Sequence, residues 1–206
     1  MTLSLWLGFL CVALAATFSP GPGVLLAIST TLTLVARRTA YSSAGNAVGV
    51  FLVSCVAVSG VGLLVRHSPL AFAALKLAGA GYLAWLGVRQ WRSAGQGARA
   101  AISAEPAGSS RYAVFRRGVL VACSNPKAIL FFAAVFPQFM PPGQFDARRF
   151  LVLSLTFVAC TFVSHFTYVL LAAAAGPRLL AGSGMPRIQR ATGVLFVALA
   201  LAMSEI

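Results

Sequence analysis

Acidic residues are scarce in this sequence, with three Asp and Glu among 206 residues against 16 Lys and Arg. Charged residues make up only 9% of the chain and hydrophobic residues 59%, and the mean hydropathy is +0.89. Soluble domains carry about 25% charged residues, so this composition excludes an ordinary soluble domain. The apolar runs are long and do not alternate, which excludes a membrane β-barrel. The sequence therefore predicts an all-α polytopic membrane protein.

The sequence also lacks the residue groups that carry catalysis or hold a metal. The four cysteines form no CxxC pair, and neither of the two His stands at metal-ligand spacing from them. No phosphate-binding loop and no set of nucleophile, base and orienting group is visible. We therefore expect no enzyme activity, no metal and no cofactor. The cations cluster between apolar runs, which is typical of loops that contact anionic lipid rather than nucleic acid.

Two proline-bearing interruptions lie inside long apolar runs. They are Ser19-Pro20-Gly21-Pro22-Gly23 and Ser124-Asn125-Pro126-Lys127. Because proline removes a backbone donor, each should break a helix and leave peptide groups that need other partners in the membrane. Pro20 and Pro126 are 106 residues apart, so one break lies at a comparable position in each half of the chain. This spacing predicts two repeats that share a site between the breaks.

The apolar runs predict six transmembrane helices, of which the first and fourth are broken. The first run, residues 3–36, would be about 50 Å long as one helix, whereas the hydrocarbon core is about 30 Å thick. The other spans are expected at 42–65, 70–90, 112–140, 150–175 and 191–206. Residues 93–111, rich in Gly, Ala and Ser, are expected to be a cytoplasmic linker. They would join a first three-helix repeat, 1–92, to a second, 112–206.

Loop cations predict the orientation of these spans. The predicted loops after spans one, three and five hold 11 cations: Arg37, Arg38, Arg89, Arg92, Arg99, Arg111, Arg116, Arg117, Arg178, Arg187 and Arg190. Those after spans two and four hold three: Arg66, Arg148 and Arg149. Because positive loops stay in the cytoplasm, both termini are predicted to be periplasmic. Three spans per half then make the two repeats inverted relative to each other.

Lys127 is the most informative single residue. It follows Arg117 by about ten residues, which places it roughly 15 Å deep and near the middle of the bilayer. A lysine at that depth costs on the order of 3 kcal/mol and usually faces a cavity or a partner. No Asp or Glu lies inside a predicted span. We therefore expect Lys127 to cap carbonyls freed by the breaks, to contact an anionic group of a ligand, or to exchange protons.

Three other polar residues in the spans each have a structural and a functional interpretation. Asn46 lies beside Gly45 and Gly49, where another helix can approach closely, and forms either an interhelical hydrogen bond or a substrate contact. His165 is either a proton carrier or a hydrogen-bonded structural residue, because imidazole ordinarily titrates near neutral pH. The same alternatives hold for Tyr168.

The two breaks also offer backbone groups to a ligand. A half-helix that restarts after Pro22 or Pro126 presents N–H groups to an anion at its N-terminus. A half-helix that ends before a break presents carbonyls, which favour an ammonium group. Together the breaks could hold a zwitterion.

Three separated motifs occur in the chain: the pentapeptide at 19–23, LKLAGAGYLAWLG at 75–87, and Asn125-Pro126-Lys127 followed by Phe136-Pro137-Gln138-Phe139. Their sequence and order resemble the lysine-exporter-type (LysE) family of bacterial amino-acid exporters, over essentially the whole chain. The resemblance implies amino-acid efflux across the bacterial inner membrane, driven by the proton gradient, through a six-span inverted repeat. Gly23 and the segment 85–92 are most similar to the homoserine and threonine exporter branch.

Relatives in that branch tend to carry an acidic residue where this chain has Thr161. Its absence leaves Lys127 and His165 as titratable candidates, and it favours neutral substrates over lysine and arginine. The expected function is export of small neutral amino acids, such as homoserine or threonine, by alternating access. The alternatives are a transmembrane thiol or electron conduit through Cys11 and Cys123, and a membrane assembly protein that transports nothing.

The candidate site residues follow from the motifs and the breaks. The expected substrate-binding residues are Ser19, Pro20, Gly21, Pro22, Gly23, Asn46, Asn125, Pro126 and Lys127. The proton-coupling candidates are Lys127, His165 and Tyr168, and the gating candidates are Pro137, Gln138 and Phe139. The expected partners are the amino-acid substrate and membrane lipid, and assembly into a homo-oligomer is left open.

Overall fold

A computed structural model describes residues 1–34, 36–67, 69–92, 94, 109–140, 145–175 and 184–204. These residues form helices and no strand, which confirms the predicted all-α class. The helices are α1 (Leu3–Phe18), α2 (Pro22–Thr33), α3 (Ala36–His67), α4 (Pro69–Arg92), α5 (Arg111–Cys123), α6 (Pro126–Leu130), α7 (Ala147–Ala175) and α8 (Gly184–Ser204). A π-helical turn at Phe131–Val135 and a 3-10 helix at Phe136–Phe139 continue α6.

Both predicted breaks are present as bends between helices. The pair α1 and α2 is bent by 50°, and α5 is bent by 48° against Pro126–Phe139. Each pair is apolar and long enough to count as one broken span. Two unbroken helical stretches in the described part of the chain also pass this test, Arg37–Ser59 and Ala147–Ala175, which gives up to four spans. That α4 and α8 also cross the membrane stays a prediction.

The predicted placement of several arginines in loops is wrong. Arg37, Arg38, Arg111, Arg187 and Arg190 were expected in loops or in the linker, but they lie in the first two turns of α3, α5 and α8. Arginine is a good helix former, and its long side chain can reach the membrane surface from inside a helix. A cation therefore marks the membrane edge and not the helix end. Of the predicted linker, residues 93 and 95–108 lie outside the described residues.

Polar groups are buried in this structure and large apolar side chains are exposed. Thr30 and Ser54 are fully buried, whereas Val56 is 73% exposed and Phe166 65%. Many large apolar side chains are exposed, whereas exposed apolar patches on a soluble protein are small. This arrangement is expected where lipid surrounds the helices. With the apolar spans, it identifies a polytopic membrane protein.

The two halves of the chain pack on each other reciprocally. Helix α3 of the first half packs against α5 of the second. Helix α7 of the second half packs against α1 and α2 of the first, and α4 of the first half packs against α8 of the second. Glycines permit these close crossings. A Cβ on Gly45 would lie 2.0 Å from the Phe115 carbonyl oxygen, and a Cβ on Gly87 would lie 2.6 Å from the Gly193 carbonyl oxygen. Reciprocal packing is what an inverted three-plus-three repeat would produce, and the division into 1–92 and 112–206 stays a prediction.

Candidate functional site

The first break frees backbone carbonyls because two prolines follow one another at close spacing. Pro20 and Pro22 have no N–H group, so they cannot bond to the carbonyls of Ala16 and Phe18, four residues before them. The helix α1 ends at Phe18, and the N–H of the next residue still bonds back to the Ala15 carbonyl oxygen at 3.1 Å. The carbonyls at the end of α1 then need partners from elsewhere in the protein.

Side chains from the second half supply these partners. Three consecutive carbonyls, at residues 17, 18 and 19, each accept one hydrogen bond from a side chain. The donors are Ser164 Oγ at 2.8 Å, Tyr168 OH at 2.7 Å and Lys127 Nζ at 2.7 Å, in that order. The first two lie on α7 and the third on α6. The broken end of α1 is therefore held by the other half of the chain.

At the second break, neighbouring residues supply several of the hydrogen bonds to backbone groups. The N–H of Ser124 bonds to the Leu120 carbonyl oxygen at 2.9 Å, and that of Asn125 to the Ala122 carbonyl oxygen at 3.2 Å. The side chain of Asn125 then caps α6, since its Oδ1 accepts the backbone N–H of Lys127 at 3.0 Å. The two breaks thus differ: side chains of the other half hold three carbonyls at the first, whereas the second is held by these local bonds and by Tyr82, whose hydroxyl donates to the Lys127 carbonyl oxygen at 3.5 Å.

The start of α2 differs from that of α6 in the same way. Its N-cap is Gly21, which offers no side-chain hydrogen bond, and Pro22 occupies the first helical position. The backbone N–H of Leu25 donates to the Gly21 carbonyl oxygen at 2.9 Å, which is the first hydrogen bond of the helix. A helix N-terminus without a side-chain cap attracts negative charge. The first break therefore presents an anion-binding end, with Lys127 close to it.

A cavity of about 50 Å³ lies between the breaks and has room for a few water molecules. Six of the nine predicted substrate-binding residues line it: Ser19, Gly21, Gly23, Asn46, Asn125 and Lys127. The three prolines are not part of the lining. Among the described residues that line it, Lys127 is the one Lys or Arg, and none is Asp or Glu. The described residues contain no group of His, Cys, Asp or Glu arranged to hold a metal ion.

Residues 14–204 of this chain match a family model described as LysE type translocator. The chain belongs to this family. It is 34% identical to the homoserine/homoserine lactone efflux protein of Salmonella typhi, over 96% of this chain and 94% of that protein. It is also 34% identical to a membrane protein of Vibrio cholerae over 96% of this chain and 95% of that protein. A leucine efflux protein of Klebsiella pneumoniae is 28% identical over 76% of this chain and 74% of that protein.

No solved structure matches the chain. Membership of the LysE family identifies the protein as a membrane transporter and not an enzyme. The thiol conduit gains no support from the structure, because none of the four cysteines lines the cavity.

In this LysE-family chain, α7 supplies cavity residues that the sequence analysis did not assign to the substrate site. Phe157, Thr161 and His165 all line the cavity. They are spaced four residues apart, so they share one face of the helix. This spacing is visible in the sequence and could have indicated the lining face. Thr161 lies where the resemblance places an acidic residue in relatives, and its hydroxyl donates to the Phe157 carbonyl oxygen at 2.9 Å.

The proton-coupling candidates have different positions. Lys127 and His165 line the cavity, and His165 Nδ1 lies 3.1 Å from Ser43 Oγ. Tyr168 is not part of the lining, and its hydroxyl caps the Phe18 carbonyl as described above. A cap for a broken helix end accounts for this tyrosine without any role in proton transfer.

The gating candidates do not line the cavity. Pro137, Gln138 and Phe139 form the 3-10 helix, where Phe139 packs edge-on against Phe9 with ring centroids 5.2 Å apart. Gln138 Nε2 donates to the Ala134 carbonyl oxygen at 2.9 Å. This segment belongs to an aromatic core at one side of the cavity, and its role in gating stays a prediction.

A buried glutamine on α4 also reaches the first break. Gln90 Nε2 donates to Ser19 Oγ, and it lies 3.4 Å from Thr192 Oγ1 on α8. Gln90 was expected at the end of span three, and no role was predicted for it. These contacts connect the last helix of each half to the break that lines the cavity.

Proposed function

We propose that the protein exports small neutral amino acids, such as homoserine or threonine, across the bacterial inner membrane. The observation that carries this proposal is the cavity at the two breaks, which combines Lys127 with the uncapped start of α2 and has no carboxylate in its described lining. Such a site favours an anionic carboxylate group and offers no acidic partner to a cationic side chain. The efflux functions in the names of the Salmonella and Klebsiella relatives support amino-acid export.

The substrate carboxylate binds between the start of α2 and Lys127. Of the two helix N-termini that the sequence left open, that of α6 is capped by Asn125, whereas that of α2 has no side-chain cap. Lys127 has three N–H donors, and one of them bonds to the Ser19 carbonyl oxygen. Two donors remain for the carboxylate. A lysine held in this way can stabilise the break and contact the substrate at once.

The substrate ammonium group binds the side-chain oxygens of Asn46 and Thr161, which we call the polar wall of the cavity. The carbonyls of residues 17 to 19 already accept protein hydrogen bonds, so they are poor partners for a further cation. The amide oxygen of Asn46 and the hydroxyl oxygen of Thr161 both belong to the lining and can accept. Hydroxyl-bearing substrates also suit this polar wall better than leucine does.

Transport proceeds by alternating access of two inverted repeats and is coupled to protons. The reciprocal packing of α3 on α5 and of α7 on α1 and α2 supports the inverted arrangement. The cationic ends of α3 and α5 face the cytoplasm, so both termini are periplasmic. Lys127 and His165 are the groups in the cavity that can carry a proton.

Efflux of labelled amino acids tests the proposed substrate. Cells that express the protein and are loaded with labelled homoserine, threonine, leucine or lysine should lose homoserine and threonine fastest. Lysine should leave no faster than from cells with an empty vector, because the cavity has no carboxylate to pair with a second ammonium group. The initial rate of label release is the measurement.

A clear preference for lysine would contradict the proposed substrate class, and a preference for leucine would contradict the role of the polar wall. A protonophore added to the loaded cells provides a further control. Homoserine release that continues at an unchanged rate without a proton gradient would contradict proton coupling.

The contact between Gly23 and Asn46 gives a test of the binding site. A Cβ on Gly23 would lie 2.8 Å from Asn46 Nδ2, so replacing Gly23 with Ala should push the amide away from its place in the cavity. Loss of a hydrogen bond to the substrate costs about 0.5–1.5 kcal/mol, so we expect KM for efflux to rise roughly two- to tenfold. The thermal midpoint should change little, since a flexible side chain absorbs the contact.

Gly81→Ala is the matched control for this substitution. Gly81 does not line the cavity, and its Cβ would lie in open space. The Gly81→Ala variant should therefore keep the parent's KM. Equal KM values for the two variants would show that the position of Asn46 does not control substrate binding.

A further inference from the structure

A buried polar stripe on α3 runs from the cavity towards the helix end that carries Arg37 and Arg38. Asn46, Ser43 and Thr39 follow one another at spacings of three and four residues, so they lie on one face of the helix. Their exposed fractions are 4%, 7% and 1%. Asn46 lines the cavity itself, and Thr39 lies roughly 10 Å further along the axis at 1.5 Å per residue.

Polar groups on two neighbouring helices face this stripe. Ser43 Oγ lies 3.1 Å from His165 Nδ1 on α7, and Thr39 Oγ1 lies 2.9 Å from Thr31 Oγ1 on α2. Contacts of this kind can simply hold membrane helices together. If holding the helices together were the only role of these contacts, every hydroxyl buried in the interface would be expected to have a hydrogen-bond partner.

Two buried hydroxyls on α2 and α3 have no hydrogen-bond partner among the described residues. Thr30 and Ser42 are 0% and 1% exposed, and neither Thr30 Oγ1 nor Ser42 Oγ has a hydrogen-bond partner among the described residues. Each is the direct neighbour of a residue in the stripe contacts, Thr31 and Ser43. A buried hydroxyl without a partner costs about 1–3 kcal/mol. A conformation in which water or a polar ligand enters would remove this cost.

On the other side of the cavity, away from Arg37 and Arg38, most of the buried residues on this face are apolar. Beyond Asn46, the same face of α3 continues with Val50 and Val53, which are buried. Phe9, Phe131, Phe132 and Phe136 belong to the buried aromatic core next to these valines. Ser54 on α3 and Ser154 on α7 are also buried there, and Ser154 Oγ has no hydrogen-bond partner among the described residues. The continuous row of buried polar residues on α3, however, lies on the Arg37 and Arg38 side.

We propose that this polar seam, defined as Thr30, Thr39, Ser42, Ser43 and His165, is the route by which a polar zwitterion and its water enter the cavity from the Arg37 and Arg38 end. Opening the route separates α2 and α7 from α3 and breaks the contacts of Ser43 with His165 and of Thr39 with Thr31. The unsatisfied hydroxyls then bond to the entering water or substrate. The identity of the transported molecule and the cytoplasmic position of the Arg37 and Arg38 end rest on the proposed function.

Thiol labelling tests the route without depending on transport. In a background with the four native cysteines replaced by Ala, Thr39→Cys and Ser43→Cys place a thiol in the seam. Ser54→Cys is the control, because Ser54 is 0% exposed on the same helix, beyond the cavity, and its hydroxyl bonds within the helix to the Phe51 carbonyl oxygen. The probe is a charged, water-soluble maleimide that does not cross membranes, applied to inside-out and right-side-out vesicles.

We expect the Thr39→Cys and Ser43→Cys variants to be labelled in inside-out vesicles about tenfold faster than the Ser54→Cys variant, because labelling rate follows the access of water and reagent to the thiol. Complete labelling of all variants after denaturation confirms that each protein is present. Labelling of the seam variants as slow as that of the Ser54→Cys variant, or faster in right-side-out vesicles, would overturn the route.

The outcomes of the labelling and of the efflux assay are distinguishable. Fast labelling in the seam together with no homoserine efflux supports the route and overturns the proposed substrate. Homoserine efflux together with slow labelling supports the function and overturns the route.

Discussion

Replacing Lys127 with Ala is expected to reduce homoserine efflux to near the level of cells without the protein, while the protein still inserts into the membrane. Lys127 is the one Lys or Arg in the described lining of the cavity, and its Nζ joins the two breaks through the Ser19 carbonyl oxygen at 2.7 Å. A hydrogen bond to a charged partner contributes about 1.5–3 kcal/mol, which corresponds to about ten- to a hundredfold in binding. The measurement is the initial rate of efflux per amount of protein in the membrane.

Two further substitutions separate the charge of Lys127 from its size. Lys127→Met keeps a long side chain without the charge and should be as inactive as the Ala variant. Lys127→Arg keeps the charge in a planar group of different shape, so we expect partial activity. Efflux at the parent's rate in both the Ala and the Met variants would show that Lys127 is structural and does not contact the substrate.

Replacing Gly45 with Ala is expected to destabilise the whole protein. A Cβ at this position would lie 2.0 Å from the Phe115 carbonyl oxygen and 2.9 Å from its carbonyl carbon. Because these are backbone atoms, α3 and α5 can make room only by moving apart. Overpacking of this kind costs about 1–3 kcal/mol, so we expect the thermal midpoint of the purified protein to fall by roughly 2–12 °C.

Gly81→Ala is the matched control, since Gly81 also lies within a helix. Apart from its chain neighbours and its own helix backbone, no heavy atom comes within 4 Å of its Cβ position. The thermal midpoint of this variant should be unchanged or slightly raised, because Ala is favoured over Gly in a helix by about 1 kcal/mol. A Gly45→Ala variant as stable as the Gly81→Ala variant would show that α3 and α5 do not approach each other backbone to backbone.

The local features of the site could be predicted from the sequence. Proline has no N–H group wherever it stands, so Pro20, Pro22 and Pro126 mark both breaks without any knowledge of the fold. Lys127 was identified in the same way, because its depth in an apolar run requires a cavity or a partner. The family motifs were also recognisable as continuous stretches of sequence, and the family match confirms them.

The details that the sequence could not supply depend on residues far apart in the chain. Ser164 and Tyr168 cap carbonyls 147 and 150 residues before them, and no local pattern pairs these groups. The helix boundaries were mispredicted because the arginines taken as loop residues lie inside helices. The unequal breaks were also not foreseen, although Asn125 is a good capping residue and Gly21 is not.

By itself the sequence determined that this is an all-helical membrane protein with two broken helices and a lysine between them. These properties follow from composition and from the chemistry of single residues, which act wherever the chain places them. Only the tertiary structure decided which helix start lacks a side-chain cap, which side chains hold the carbonyls of the first break, and on which side of the cavity the buried polar stripe of α3 lies. Those properties depend on contacts between the two halves, and the contacts exist only when the helices are packed together.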